Sequence, residues 1–178
     1  MTVMKKTELQ LEHKFDSTSS RHYLNGACSV LHCHHFATLY CQLADDAEIV
    51  DGKKLLYDSA EETFYPLLSA YYEKHGVCDL ADRLAVAEEY FSAMGMGALK
   101  VTSLGDLSAT AELSSSHVDE GWIKKWDKRE EPVNFITQGY VAAVLAAALG
   151  APAGSFLVEE TESIVSGAEK SLFRAVRR

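Results

Sequence analysis

The spacing of apolar positions changes several times along the chain, and each change marks an element. Residues 9–15, LQLEHKF, alternate apolar and polar side chains and predict a short strand at a sheet edge, within a polar leader over residues 1–20. STSSRHYLNG is turn-rich, and Asn25-Gly26 is a strong breaker. From 29 to 44 the period becomes helical, with Val30, Leu31, His34, Ala37, Thr38 and Cys41 three and four apart. A second helix is predicted over 53–75, with Pro66 inside it as a kink or restart point and Gly76 placed as its closing glycine. A third covers 80–94, before MGMG.

The period then falls to two. Residues 98–114 predict two strands joined around Leu104-Gly105-Asp106. The serine run ahead of His117 predicts a capped short turn over 117–126, and Pro132 breaks the charged segment that follows. An alanine-rich helix is expected over 134–149, then a strand in SFLVEETESI and a last strand in KSLFRAVRR. Helices first, then strands, a helix and strands again make an α+β chain: N-terminal helices packed on a mainly antiparallel sheet. The length of 178 residues suits one domain, expected over 21–178 after the leader.

Composition narrows the functional classes. A formal net charge of −9 argues against a nucleic-acid footprint, which needs a basic surface. The longest apolar run, 140–154, is interrupted by Gly150 and Pro152 and is too short to span a membrane, which takes roughly 20 residues. Cys28, Cys33, Cys41 and Cys78 form no CxxC pair, and no signal peptide is visible. Reduced thiols in a cytoplasmic protein are therefore expected. No phosphate-binding glycine loop and no GxSxG elbow occurs.

The densest candidate chemistry is LHCHHF, residues 31–36. Successive helical residues point about 100° apart, so these neighbours cannot all ligate one ion. On a helix, Cys28, His32 and His35 share one face at i, i+4 and i, i+3 spacing, while His34 faces elsewhere with Val30, Thr38 and Cys41. Imidazole with thiolate or carboxylate suits zinc, iron or haem, with a fourth ligand from Asp58, Glu61, Glu62, His22 or His117. The simpler reading is an amphipathic helix with exposed histidines and cysteines packed as small apolar groups.

The last third adds a resemblance. GYVAAVLAAALGAPAGSFLVEETESIVSGAEKSLFRAV resembles the C-terminal half of the 4-vinyl reductase-type small-molecule-binding domain. That family is similar in fold to nitric-oxide-signalling and Golgi-transport ligand-binding domains, and to the effector-sensing domain of aromatic-responsive bacterial regulators. Gly167 and Phe173 stand where the family carries a glycine and an aromatic residue, and Glu159 or Glu160 where it carries a glutamate. The family's two cysteines, which in relatives can hold zinc, are Ser163 and Ser171 here, so the resemblance does not carry a zinc site to this hairpin.

The resemblance implies a pocket between helices and sheet for a small hydrophobic or aromatic molecule. The candidate lining residues are His34, His35, Tyr40, Phe64, Tyr65, Trp122 and Tyr140, with Glu159 as the inward carboxylate. Alternation along a strand lets only one of Glu159 and Glu160 face inward. The resemblance also implies a homodimer that acts as a sensor, carrier or accessory protein through a partner enzyme or regulator. Two other classes stand beside this one: a metal- or haem-binding enzyme built on Cys28, His32 and His35, and an assembly factor for a larger enzyme.

Overall fold

In the computed structural model, which describes residues 8–178, the organising element is the alanine-rich helix α5, Phe135–Leu149. Small side chains on every face let neighbours approach from all sides, and twelve of its fifteen residues are buried. Helix α2, Gly52–His75, crosses it at Gly139, where a Cβ would lie 2.1 Å from the Tyr57 carbonyl oxygen. Helix α3, Leu80–Ala93, packs beside them. Tyr140, fully buried in this layer, donates its hydroxyl proton to the Ala87 carbonyl at 2.7 Å.

Four strands form the main sheet: β4 Gly97–Leu104, β5 Ser108–Ser116, β6 Phe156–Glu162 and β7 Ser171–Arg177. Their order is β4-β5-β7-β6, and every pairing is antiparallel. Leu99, Ala111, Leu113, Val158 and Phe173 turn inward to meet Phe91, Tyr140 and Leu145 in the main core. Side chains from the helices plug both outer edges of the sheet. The Tyr57 hydroxyl donates to the Phe156 carbonyl and accepts from Val158 N–H on β6, and Glu88 accepts from Val101 N–H on β4.

The helix predicted from 29 begins later. Asn25 and Gly26 both adopt positive φ, 48° and 85°. They form the two-residue turn of a hairpin that pairs Leu24 with Ala27. Three short strands result: β1 His13–Asp16, β2 Arg21–Leu24 and β3 Ala27–Ser29, which make a separate antiparallel sheet in that order. Helix α1 is His34–Asp45. The proposed leader boundary at residue 20 falls in the β1–β2 turn, so it divides one sheet. Residues 1–7 of that leader lie outside the described residues.

Two further expectations change. Helix α2 is a single element through Pro66. Glu62, whose carbonyl loses its i+4 donor to the proline, is exposed, so water can satisfy it. The segment expected as a capped turn is a full helix, α4, His117–Trp126. Ser116 caps it by accepting from Asp119 N–H, with acidic residues in the first turn and lysines in the last.

Helices α1 and α4 enclose a second, smaller core of Ala37, Cys41, Val118, Trp122, Val133, Phe135 and Val165. They meet closely at Gly121, where an added Cβ would stand 2.8 Å from the His34 Cβ. No helix among the described residues is long and apolar enough to cross a membrane.

Candidate functional site

A cavity of about 530 Å³ lies between the small N-terminal sheet, the segment 30–32 and helices α2 and α3. Its walls are mostly apolar: Leu11, Leu24, Val30 and Leu31 from the N-terminal part, Phe64 from α2, and Ala93, Met94 and Met96 from the end of α3. The polar groups in it are His13, His22, Ser29 and His32. This is the size and make-up of a small-molecule site: an apolar pocket with a few polar groups on its wall.

Strand register builds the histidine side of the cavity. His13 and Leu24 are cross-strand partners, as are Phe15 and His22. His13 Nε2 and His22 Nδ1 are 2.9 Å apart, so one ring nitrogen donates and the other accepts. The rings stack with centroids 5.1 Å apart. His32, on the cavity wall, also meets the ring of His117, the first residue of α4, with centroids 5.6 Å apart. His34 reaches the same ring at 5.9 Å.

Burial, then the neighbouring His32 and His34, hold the His117 imidazole below its usual value of 6.5. The His117 pKa is thus lower folded than unfolded, and the unfolded chain binds more protons in the window below pH 6.5. Stability from this group is complete above that pH and falls as the solution is acidified toward the folded pKa. His117→Gln should therefore narrow the gap between the thermal midpoints at pH 7.5 and pH 5.5. An unchanged gap would show that the imidazole does not titrate with folding.

A second polar constellation lies inside the protein, between the two cores. Asn134 Nδ2 donates to Asp119 Oδ2 at 2.7 Å and to Glu160 Oε1 at 2.8 Å. Asn134 Oδ1 accepts from Ser116. Asp119 Oδ1 accepts from Val165 N–H and the Ser163 hydroxyl, and Ser171 accepts from Ile164 N–H. Burial raises the Glu160 pKa above its ordinary 4.5, against the hydrogen bonds from Ser171 and Asn134. The donor set is hydroxyls, carboxylates and one amide, with the amide nitrogen between the carboxylates. It contains no thiolate and does not fit a zinc–thiolate centre.

The structure disperses the residues singled out in the sequence. Phe64 and His32 line the cavity, and His34 sits behind it against His117. His35 is exposed, edge-on to His34 with centroids 4.5 Å apart. Tyr40 is exposed on the outer face of α1, and Tyr65 packs half-buried on the main core. Trp122 belongs to the second core, with the Arg129 guanidinium 4.6 Å from its ring. Tyr140 is core.

Glu159 is exposed at a different hollow of about 570 Å³ beside Lys53 and Arg178. Glu160 is the inward carboxylate, because Phe156, Val158 and Glu160 share the buried face of β6. Cys28 lies on β3 and His32 in the segment that follows, so the helical spacing that joined them to His35 does not exist. Among the described residues no group of three or more His, Cys, Asp or Glu is placed to hold a metal ion. Sequence reasoning missed Leu11, His13, Leu24, Met94 and Met96, and took His22 only as a possible fourth metal ligand. The signal was present in Leu11-x-His13 and His22-x-Leu24, each an alternating pair on one strand face.

With helices α1–α3 ahead of a four-stranded antiparallel sheet and α5 at its centre, the fold is that of the 4-vinyl reductase-type ligand-binding domains. The phenol-responsive sensory domain of the transcription activator PoxR, bound to phenol, matches with a TM-score of 0.75 at 13% identity, over 93% of this chain and 84% of that one. A vinyl-4-reductase family protein from Methanocaldococcus jannaschii matches at 0.53 and 20% identity, over 80% and 77%. Subunit 3 of a trafficking protein particle complex from Naegleria fowleri, covalently bound to palmitic acid, matches at 0.54 and 16% identity, over 82% and 94%. No family profile matches the sequence, and no curated protein matches it.

Proposed function

We propose that this chain binds a small, largely apolar molecule bearing one polar group, in the cavity under the N-terminal sheet, and works as a sensor or carrier. The observation that carries this reading is the cavity itself: apolar walls from three elements, with the imidazoles of His13, His22 and His32 among its lining as the polar groups a hydroxyl or carboxylate would use. The fold supports it, since one protein of like structure is a phenol-responsive sensory domain and another is covalently bound to palmitic acid. In this reading the domain passes its signal to a partner enzyme or regulator.

The test is thermal stabilisation by a series of alkylphenols and a series of medium-chain carboxylic acids, which separates aromatic from aliphatic preference. A ligand at a hundred times its Kd stabilises by about 2.7 kcal/mol. Leu24→Trp fills the cavity from its strand wall and should abolish the shift while the far-ultraviolet spectrum stays unchanged. A shift that survives Leu24→Trp places binding elsewhere. No shift with either series removes this reading.

A further inference from the structure

The small N-terminal sheet has two faces, and the apolar cavity uses one of them, through His13, His22, Leu24 and Ser29. Alternation along the strands puts Lys14, Asp16 and Tyr23 on the other, where Lys14 and Tyr23 are cross-strand partners. There they line a hollow of about 340 Å³, closed by Glu12, Asn25 and the α2 side chain of Lys74. A hollow of about 410 Å³ shares Glu12, Asn25 and Lys74 with it. Its further walls are mostly apolar, from Ala27, Leu67, Ala70 and Tyr71.

Asn25 belongs to both hollows. Its Oδ1 accepts from Glu12 N–H at 2.7 Å, which fixes the orientation of the amide. Its Nδ2 is shut off from water and donates to no group among the described residues. A buried donor without an acceptor is costly and points to a partner that arrives from outside the chain. Lys14 and Lys74 form no ion pair among the described residues either. Of the two carboxylates in the hollow, Asp16 is engaged by Thr18 N–H and the Ser19 hydroxyl in the β1–β2 turn. Glu12 is the one that opposes the two ammonium groups.

We infer that this face of the sheet binds a phosphate monoester, with the phosphate held by Lys14, Lys74 and Asn25 Nδ2 and the organic body along Leu67, Ala70 and Tyr71. A phosphate group brings three acceptor oxygens and a charge near −2, so it satisfies two ammonium groups and one amide donor together. A carboxylate, with one charge and two oxygens, balances only one of the lysines. The apolar cavity lies on the opposite face of the sheet, so this site stands independently of what that cavity binds.

Isothermal titration calorimetry of the full chain with phenyl phosphate, at low ionic strength, tests it. One equivalent should bind, more tightly than inorganic phosphate or benzoate. Asn25→Asp keeps the acceptor for Glu12 N–H and tolerates the positive φ of the turn, but it replaces the donor by a negative charge. It should weaken binding at least tenfold, as should Lys14→Gln and Lys74→Gln at their exposed positions. Glu12→Gln should tighten binding severalfold. Should Asn25→Asp fail to fold, the two lysine variants decide. Lys124→Gln on α4 removes the same charge outside the hollow, and Leu24→Trp fills the apolar cavity, so neither should change the affinity. Absence of saturable binding up to roughly 10 mM phenyl phosphate overturns the inference. So does benzoate binding as tightly as phenyl phosphate, or an equal loss in Lys124→Gln and Lys74→Gln. Binding that Leu24→Trp removes also overturns it, by placing the ligand in the cavity. If no alkylphenol or carboxylic acid shifts the thermal midpoint while phenyl phosphate behaves as described, the cavity reading fails and this one stands.

Discussion

Replacing Asn134 by leucine should be among the most damaging single changes in this protein. The side chain fits the site in size, but it removes the one amide that donates to both Asp119 and Glu160. Two buried carboxylates then each lose one donor while keeping others, a loss of about 3 kcal/mol at neutral pH. Chemical denaturation would measure it, and pH would identify the cause. The folded pKa of Glu160 is already raised, and losing the Asn134 hydrogen bond raises it further. Below that pKa Glu160 is protonated and no longer needs the amide, so the gap between variant and wild type should shrink as pH falls from 7 toward 4.5. A penalty independent of pH would show that lost packing, not stranded charge, dominates.

Gly139→Ala should be comparably severe for a reason that contains no charge. In an exposed helix this change usually stabilises, because the unfolded chain loses freedom. Here the new methyl would lie 2.1 Å from the Tyr57 carbonyl oxygen and 2.9 Å from the Ala60 Cβ. Neither atom can rotate away, since both are tied to the backbone of α2. The two helices must separate along their whole contact, which costs about 3 kcal/mol and lowers the thermal midpoint by roughly 10 °C in a chain of this length. A midpoint within 2 °C of wild type would mean that the α2–α5 crossing adjusts freely.

Long periodic segments were legible in the sequence for a physical reason. The apolar spacing of 53–75, 80–94 and 134–149 reports burial directly, and helices stand at all three. The strands of the main sheet could be read in the same way. The N-terminal part misled because its apolar residues satisfy two periods at once. Val30 and Leu31 fit the first turn of a core-facing helix, but they lie ahead of α1, exposed and on the cavity wall. Asn25-Gly26 was recognisable as a breaker, yet its stronger meaning was a two-residue hairpin that commits Ala27–Ser29 to a strand.

The candidate site was less accessible to sequence reasoning, because it joins residues far apart in the chain. Leu11, His22, Phe64 and Met96 come together only through the docking of the small sheet on α2 and α3. His117 meets His32 and His34 because Gly121 lets α4 approach α1, a contact that no local pattern encodes. Ser163 and Ser171 stand where the family carries cysteines. What the sequence could not reveal is that Asn134 and Asp119 join them to Glu160 in one hydrogen-bonded group.

The Tyr57 hydroxyl and the Glu88 carboxylate, each hydrogen-bonded to one border strand of the main sheet, guard both of its open sides. A strand arriving from outside would have to displace a phenol on one side and a carboxylate on the other before it gained its first main-chain hydrogen bonds. Runaway templating, the route by which open sheets seed fibrils, is thereby hindered at both ends.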